Sequence, residues 1–383
     1  MKAYYNQKNI SSGFFNFFKK FNLSLPHAKS ISSIITAMIS AESVVSSDIS
    51  KNFKDNFSYI LLESNQRRIW RFFYSFSFIA YYFFELFISY IISNFKVKHF
   101  DNTVHISFDH MFVRNKFTIL LFSLRIGKQG IPIWFRCFKT NDSSSSAFST
   151  SLIKQGISFC ASLFPADKFH VIFLADRWFP NVDIFEHIQS LNCFFCIRSK
   201  SYFYIHFYNS RGFLVKKHLR DISPLSHSSR VLKDVFFSRK MFKTNIVISR
   251  GISTDDVWYI VTNDNTSRAI RNYSYRFGSI ECIFKNQKTN GFRLESTNTH
   301  KLEHFISLFT IVCTAICWLV IIGSDYVKNK SHYKIKIRDT RKSKSNSTSR
   351  LYSYFSIGLT LFNLCYYNYV DFTLKFNFIL YDV

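Results

Sequence analysis

The sequence predicts an α/β fold built on a layered sheet, with a helical region ahead of the sheet and a β-rich insertion inside it. Three observations carry this. Residues 103–140 read as three consecutive strands. Two later apolar runs, HVIFLA and CFFCIR, are each preceded by a helical pattern. Residues 199–265 then break the helix–strand alternation with further strands.

Residues 1–100 read as helical. Ile31, Ile34, Ile35, Met38 and Ile39 recur at helical spacing after Pro26, a favoured early helix position. Ser64 is a candidate cap for another helix, with Arg67, Arg68 and Arg71 in its first two turns, suited either to phosphate contact or to a solvated face. From 103, TVHISFDHMF, KFTILLFSLRI and IPIWFRCFK form the first three strands, and Gly127-Lys128-Gln129-Gly130 reads as a tight hairpin link. A Ser-rich stretch at 143–146 leads into a helix with Phe148, Leu152 and Phe159 on one face. HVIFLA follows and ends at Asp176; a helix over Val182–Ser190 precedes CFFCIR. Three antiparallel strands, a helix, a parallel strand, a helix and another strand is the order of the ribonuclease-H-like, retroviral-integrase-like fold. The expected division is a helical region over 1–100, core over 101–198 and 266–325, the insertion over 199–265, and a basic tail over 326–383.

Charge narrows the partner. The 383 residues carry 50 Lys and Arg against 24 Asp and Glu, a net +26. A bias toward AT-rich codons accounts for 47 Phe beside 10 Gly and 5 Pro. It does not account for the scarcity of acids, whose codons suit such genomes equally well. A polyanion, nucleic acid above all, is the expected partner. The insertion concentrates the effect: between 197 and 250, twelve Lys or Arg face only Asp221 and Asp234. Cys193 and Cys196 form one CxxC without a second pair or nearby histidines, so they read as strand residues rather than zinc ligands. No secretory leader is expected from the N-terminus, which points to the cytoplasm, in association with the nucleoid. Phe305–Ile322 runs 18 residues without a charge, and Phe78–Phe95 is similar but for Glu85. Ser307, Thr310 and Thr314 favour a buried core helix over a membrane span for the former.

In so basic a chain, acids at strand positions carry information. Asp109 lies inside the apolar first strand and Asp176 at the end of the fourth; neighbouring strands would bring them together. Glu281 and Lys288 are seven residues apart, and seven steps of about 100° return to nearly the same helix face. Converging carboxylates suit Mg2+ or Mn2+, and two such ions support phosphoryl transfer.

The segments FDHMF, SLRIGKQGIPIWFRCFK, FLADRWF and RFGSIECIFKNQKTNGFRLEST resemble the DDE transposases of bacterial insertion sequences, most closely the insertion-sequence-four family. The hallmark of that family is Tyr, two residues, Arg, three residues, Glu, six residues, Lys. Tyr273, Arg276, Glu281 and Lys288 fit it, except that four residues separate Arg276 from Glu281. Five helical steps turn about 140°, so a bulge or a later helix start is expected to restore the arginine. The resemblance covers roughly 100–325. It implies that Asp109, Asp176 and Glu281 bind the catalytic metals, that Tyr273, Arg276 and Lys288 contact DNA, and that the enzyme acts as a homodimer on double-stranded transposon ends and target. The charge of the insertion adds Lys216, Lys217 and Arg220 as phosphate contacts. Glu295 is the alternative third acid. Trp178 is expected to pack in the core rather than stack on a base, and Trp258 is the weaker stacking candidate. A nuclease of the same fold and a basic membrane protein are the competing readings.

Overall fold

A computed structural model describes residues 2–53, 62–95, 102–140, 149–222, 229–250, 256–288, 291–333, 335–337, 340–342, 348–350, 352–367 and 380. The Ser-rich 143–146 stretch, Phe148 and most of the C-terminal aromatic segment lie outside them. The N-terminal region is helical: α1 (Lys2–Phe18), α2 (Leu25–Ala41), α3 (Ser46–Lys51), α4 (Leu62–Ser77) and α5 (Ala80–Ser93). Ser24 caps α2 by accepting from His27 N–H, with Pro26 in the first turn. Ser64 lies inside α4 and is not its cap. The helix already runs from Leu62, so the amides of Gln66 and Arg67, which a cap at 64 would take, bond back within the helix. Helices α4 and α5 meet at 78°.

The sheet begins with β1 (Thr103–Val113), β2 (Phe117–Ile126) and β3 (Gln129–Lys139), then α6 (Thr150–Ser162), β4 (His170–Ala175), α7 (Val182–Ser190) and β5 (Phe194–Ser199). Arg114 and Asn115, at φ 50° and 53°, make the first turn; Gly127, at φ 58°, opens the second. Such left-handed residues match the twist of paired strands. β6 (Tyr204–Tyr208), β7 (Leu214–His218), β8 (Arg230–Phe237), β9 (Phe242–Arg250) and β10 (Val257–Thr262) follow. Among the described residues, ten strands form one mixed sheet in the order β3-β2-β1-β4-β5-β10-β9-β8-β6-β7. β1, β4 and β5 are mutually parallel, and the other pairings are antiparallel. The strands of 199–265 therefore continue the central sheet, since β10 hydrogen-bonds β5 directly.

Both faces of the sheet are covered around β2, which is why that strand is buried almost throughout, whereas β7 and β8 at the far end are largely exposed. Phe122 and Trp134 point toward α6, where the backbone at Gly156 comes so near that an added Cβ would lie 2.4 Å from the Phe122 ring. On the opposite face lies α8 (Ala269–Lys288). Small residues let it sit low: Ser123 and Ser279 hydroxyls meet at 2.8 Å, and a Cβ on Gly130 would lie 2.6 Å from the Ser279 carbonyl oxygen. The second part of the expected core, 266–325, holds two helices, because Phe292–His300 leaves helical geometry apart from a single turn at Leu294–Ser296.

The second helix, α9 (Leu302–Lys328), is long and apolar enough to cross a membrane, yet 94 % of its most apolar stretch is buried within the fold. Phe305 stacks on Phe117 at 4.0 Å, Phe309 meets Phe135 at 4.8 Å, and Trp318 packs on Phe14 at 4.5 Å. α10 (Tyr354–Tyr366) crosses it where Gly323 and Gly358 allow backbone contact. Glu85, the one charge in the other apolar stretch, accepts from Trp134 Nε1–H at 3.1 Å and from Arg136 at 2.7 Å.

Candidate active site

Strand pairing sets the first relationship. Phe108 of β1 is in register with Ala175 of β4, so the next residues, Asp109 and Asp176, stand at the same level on adjacent parallel strands. Phe108 stacks on Phe122 toward α6. Alternation therefore turns Asp109 to the opposite face, toward α8. That helix contributes Tyr273, Arg276 and Glu281.

Arg276 joins the three acids. Its guanidinium donates to Asp109, lies 4.0 Å from Asp176 Oδ2 and reaches Glu281 Oε1 at 3.6 Å. Its side chain is only 7 % exposed. Tyr273, fully buried against Trp258, donates its hydroxyl to Asp176 Oδ1 at 3.2 Å. Asp109 Oδ1 also accepts its neighbour's backbone N–H, from His110, at 2.8 Å. Arg276 lies in the middle of a continuous helix, so neither a bulge nor a later helix start is involved. The reach of the arginine side chain spans the 140° that the backbone leaves open.

The electrostatics follow from burial. Desolvation pushes the Asp109 carboxyl above its ordinary range, against the pull of Arg276. Glu281 is raised for the same reason, opposed by Arg276 and Lys285. Burial disfavours the charge on Arg276, but Asp109, Tyr273 and Asp176 outweigh it and hold the guanidinium above its usual value. Tyr273 is raised by burial and by the nearby Asp176. Three carboxylates against one guanidinium leave two negative charges in a partly desolvated place. The donors are all hard oxygens, as a divalent ion of the magnesium type requires. Among the described residues no three acidic, His or Cys side chains are grouped closely enough to hold one ion, because the guanidinium stands between the carboxylates. The Arg276 Nε is buried without a hydrogen-bond partner among the described residues. Donor chemistry and charge fit a divalent cation; the present spacing belongs to the arginine.

The remaining expected residues fall elsewhere. Lys288 ends α8, and its side chain lies outside the described residues. Lys216 and Lys217 lie on β7, the outermost strand, six strand spacings or roughly 30 Å from β4. Strand alternation sends them to opposite faces, so with Arg220 they do not form one patch. Lys216 sits over the Tyr204 ring, and Arg220 lies 3.9 Å from Asp221. Glu295 accepts Arg114 N–H at 2.9 Å at the turn after β1, away from the other acids. Trp178 is not in the core: it is 71 % exposed on the turn that follows Asp176. Trp258 is buried beside Tyr273 and Phe277. The CxxC cysteines are buried, free thiols.

A mixed α/β sheet with two acids level on adjacent parallel strands, and a third on the helix above them, defines a candidate phosphoryl-transfer site. A family model described as a transposase DDE domain matches residues 127–318, just over half of the chain. The chain belongs to the DDE transposases, a family whose partner is DNA. The match includes Asp176 and Glu281 and begins after Asp109. No curated protein matches the chain significantly.

Proposed function

We propose that this is the transposase of a bacterial insertion sequence of the insertion-sequence-four type, and that its core is ribonuclease-H-like. It binds the terminal inverted repeats, cuts one strand at each end to free a 3′-hydroxyl, and directs that hydroxyl onto target DNA. The observation that carries the reading is the convergence of Asp109, Asp176 and Glu281 on the single guanidinium of Arg276.

In this reading the three carboxylates hold two divalent ions, Mg2+ or Mn2+. When bound, such ions offset charge on the attacking and leaving oxygens. Tyr273 fixes one oxygen of Asp176 and leaves the other to face the site. Arg276 neutralises the acids, and its Nε–H, buried without a partner among the described residues, is a donor for a phosphate oxygen. Lys288 adds positive charge at the end of the same helix. The sheet and α8 supply a rigid base that holds these groups in orientation.

We assign the cutting to 101–198 and 266–325. The helical region 1–100, the 199–265 strands and the 326–383 tail are surfaces for the DNA flanks. Lys216, Lys217 and Arg220 contact phosphates distant from the cut. Two copies act on paired ends, in the cytoplasm with the nucleoid. The test uses the DNA that brackets the gene as substrate. Asp109→Asn, Asp176→Asn and Glu281→Gln should each abolish Mg2+-dependent end cleavage while DNA binding stays within a few-fold. Cleavage retained in Asp176→Asn removes that residue from the site.

A further inference from the structure

The turn that follows Asp176 treats two adjacent aromatic residues in opposite ways. Phe179 N–H closes the turn onto Asp176 O at 3.0 Å. The Phe179 ring is buried against Phe108 at 4.9 Å and His110 at 5.0 Å, which anchors the turn to β1. Trp178 is thrust outward, 71 % exposed. From the end of the neighbouring parallel strand β5, Lys200 places its Nζ 3.9 Å over the Trp178 ring and 5.7 Å from that of Tyr202, itself 56 % exposed. Arg177 is exposed on the same turn. These groups lie at the carboxyl ends of β4 and β5, the end of the sheet that carries Asp176.

We propose that Trp178 and Lys200 form a stacking site for one unpaired nucleobase next to the cut strand. The indole offers its open face to the base, and the ammonium on the other side meets a flanking phosphate. The occupant follows from chemistry: a flat π surface, a resident cation and exposed basic neighbours suit a base with its phosphate. Bases in an intact duplex keep their faces stacked inside, so the site selects a base freed from pairing. The inference rests on the reading that the adjacent carboxylates cut DNA.

The test compares two probes of equal backbone charge, a dT10 oligonucleotide and an abasic decamer, by fluorescence anisotropy without divalent metal. Wild-type protein should bind dT10 about tenfold or more tightly than the abasic strand. Trp178→Ala should remove most of that preference and leave the salt dependence unchanged, because stacking releases no counterions. Trp178→Phe should keep part of it. Lys200→Gln should flatten the salt dependence for both probes. The ring is exposed, so the Trp178 variants should melt with the wild type. No preference in the wild type, or a full preference in Trp178→Ala, overturns the site. End cleavage by the wild type with Mg2+ is scored separately: its absence overturns the cleavage reading and leaves the dT10 comparison to judge the stacking site.

Discussion

Tyr273 donates its hydroxyl to Asp176 Oδ1 at 3.2 Å from a position with no exposed surface of its own. One buried residue thus orients an acid on the sheet from the helix above it. Tyr273→Phe keeps the ring packed against Trp258 and removes only the donor. Stability should fall by about 1.5–3 kcal/mol, the usual net worth of a hydrogen bond to a charged group. End cleavage should fall about tenfold, with DNA affinity unchanged. A melt and a cleavage time course check this; unchanged cleavage would show that Asp176 needs no donor there.

Arg276 offsets the charge of three acids at once. Arg276→Ala leaves them partly buried without their cation. Removing one partner of a buried pair typically costs about 3–5 kcal/mol. Metal-free protein should lose that much, and added Mg2+ should restore more stability to the variant than to the wild type. Thermal melts with EDTA and with Mg2+ check both statements. An equal Mg2+ response in the two proteins would mean that the guanidinium and the ion do not share the same carboxylates.

Two glycines near α8 separate fit from propensity. A Cβ at Gly130 meets the Ser279 backbone at 2.6 Å, whereas one at Gly278 comes no nearer than 3.4 Å to the Lys128 backbone, an ordinary contact. Gly130→Ala should lift α8 off the sheet, cost about 1–3 kcal/mol and depress cleavage. Gly278→Ala should be near neutral or slightly stabilising, since glycine inside a helix costs about 1 kcal/mol relative to alanine. Similar effects of the two substitutions would argue against close seating of α8.

Helix α9 packs beside α8, where Gln287 Nε2 lies 3.7 Å from Cys313 Sγ. Ile316 is fully buried. Ile316→Lys places an unpaired charge there at a cost of several kcal/mol, comparable to the roughly 5–15 kcal/mol that hold a domain together. The variant should be insoluble or protease-sensitive, and the wild type should purify without detergent. Wild-type protein that leaves the membrane pellet only with detergent would contradict the packing of α9.

The strands and the level placement of Asp109 and Asp176 were legible because one acid lies inside the first apolar run and one directly follows the fourth, which leaves few arrangements. The spacing of Glu281 and Lys288 suggested one helix, and the resemblance to the insertion-sequence-four family placed Tyr273 and Arg276 on it with Glu281. The link from Arg276 to Glu281 was not legible, because a helical angle ignores side-chain length. Trp178 was misplaced for a different reason: in FLADRWF nothing local says which of two adjacent aromatics the turn will bury. Lys216 and Lys217 were named together as phosphate contacts from the charge of the insertion, while a strand sends them to opposite faces. The extension of the central sheet by residues 199–265 depends on β10 returning to β5, a long-range pairing that local pattern does not encode.

Strand joining tests the central claim most directly. Purified protein, Mg2+, a donor fragment carrying one flank of the gene and a supercoiled target plasmid should yield joined donor–target molecules. The joined strand should begin at the 3′-end released by cleavage, and Asp109→Asn, Asp176→Asn and Glu281→Gln should each yield none. Cleavage without joining would identify a nuclease, and joined products from any of the three substituted proteins would contradict the assignment of that acid to the site.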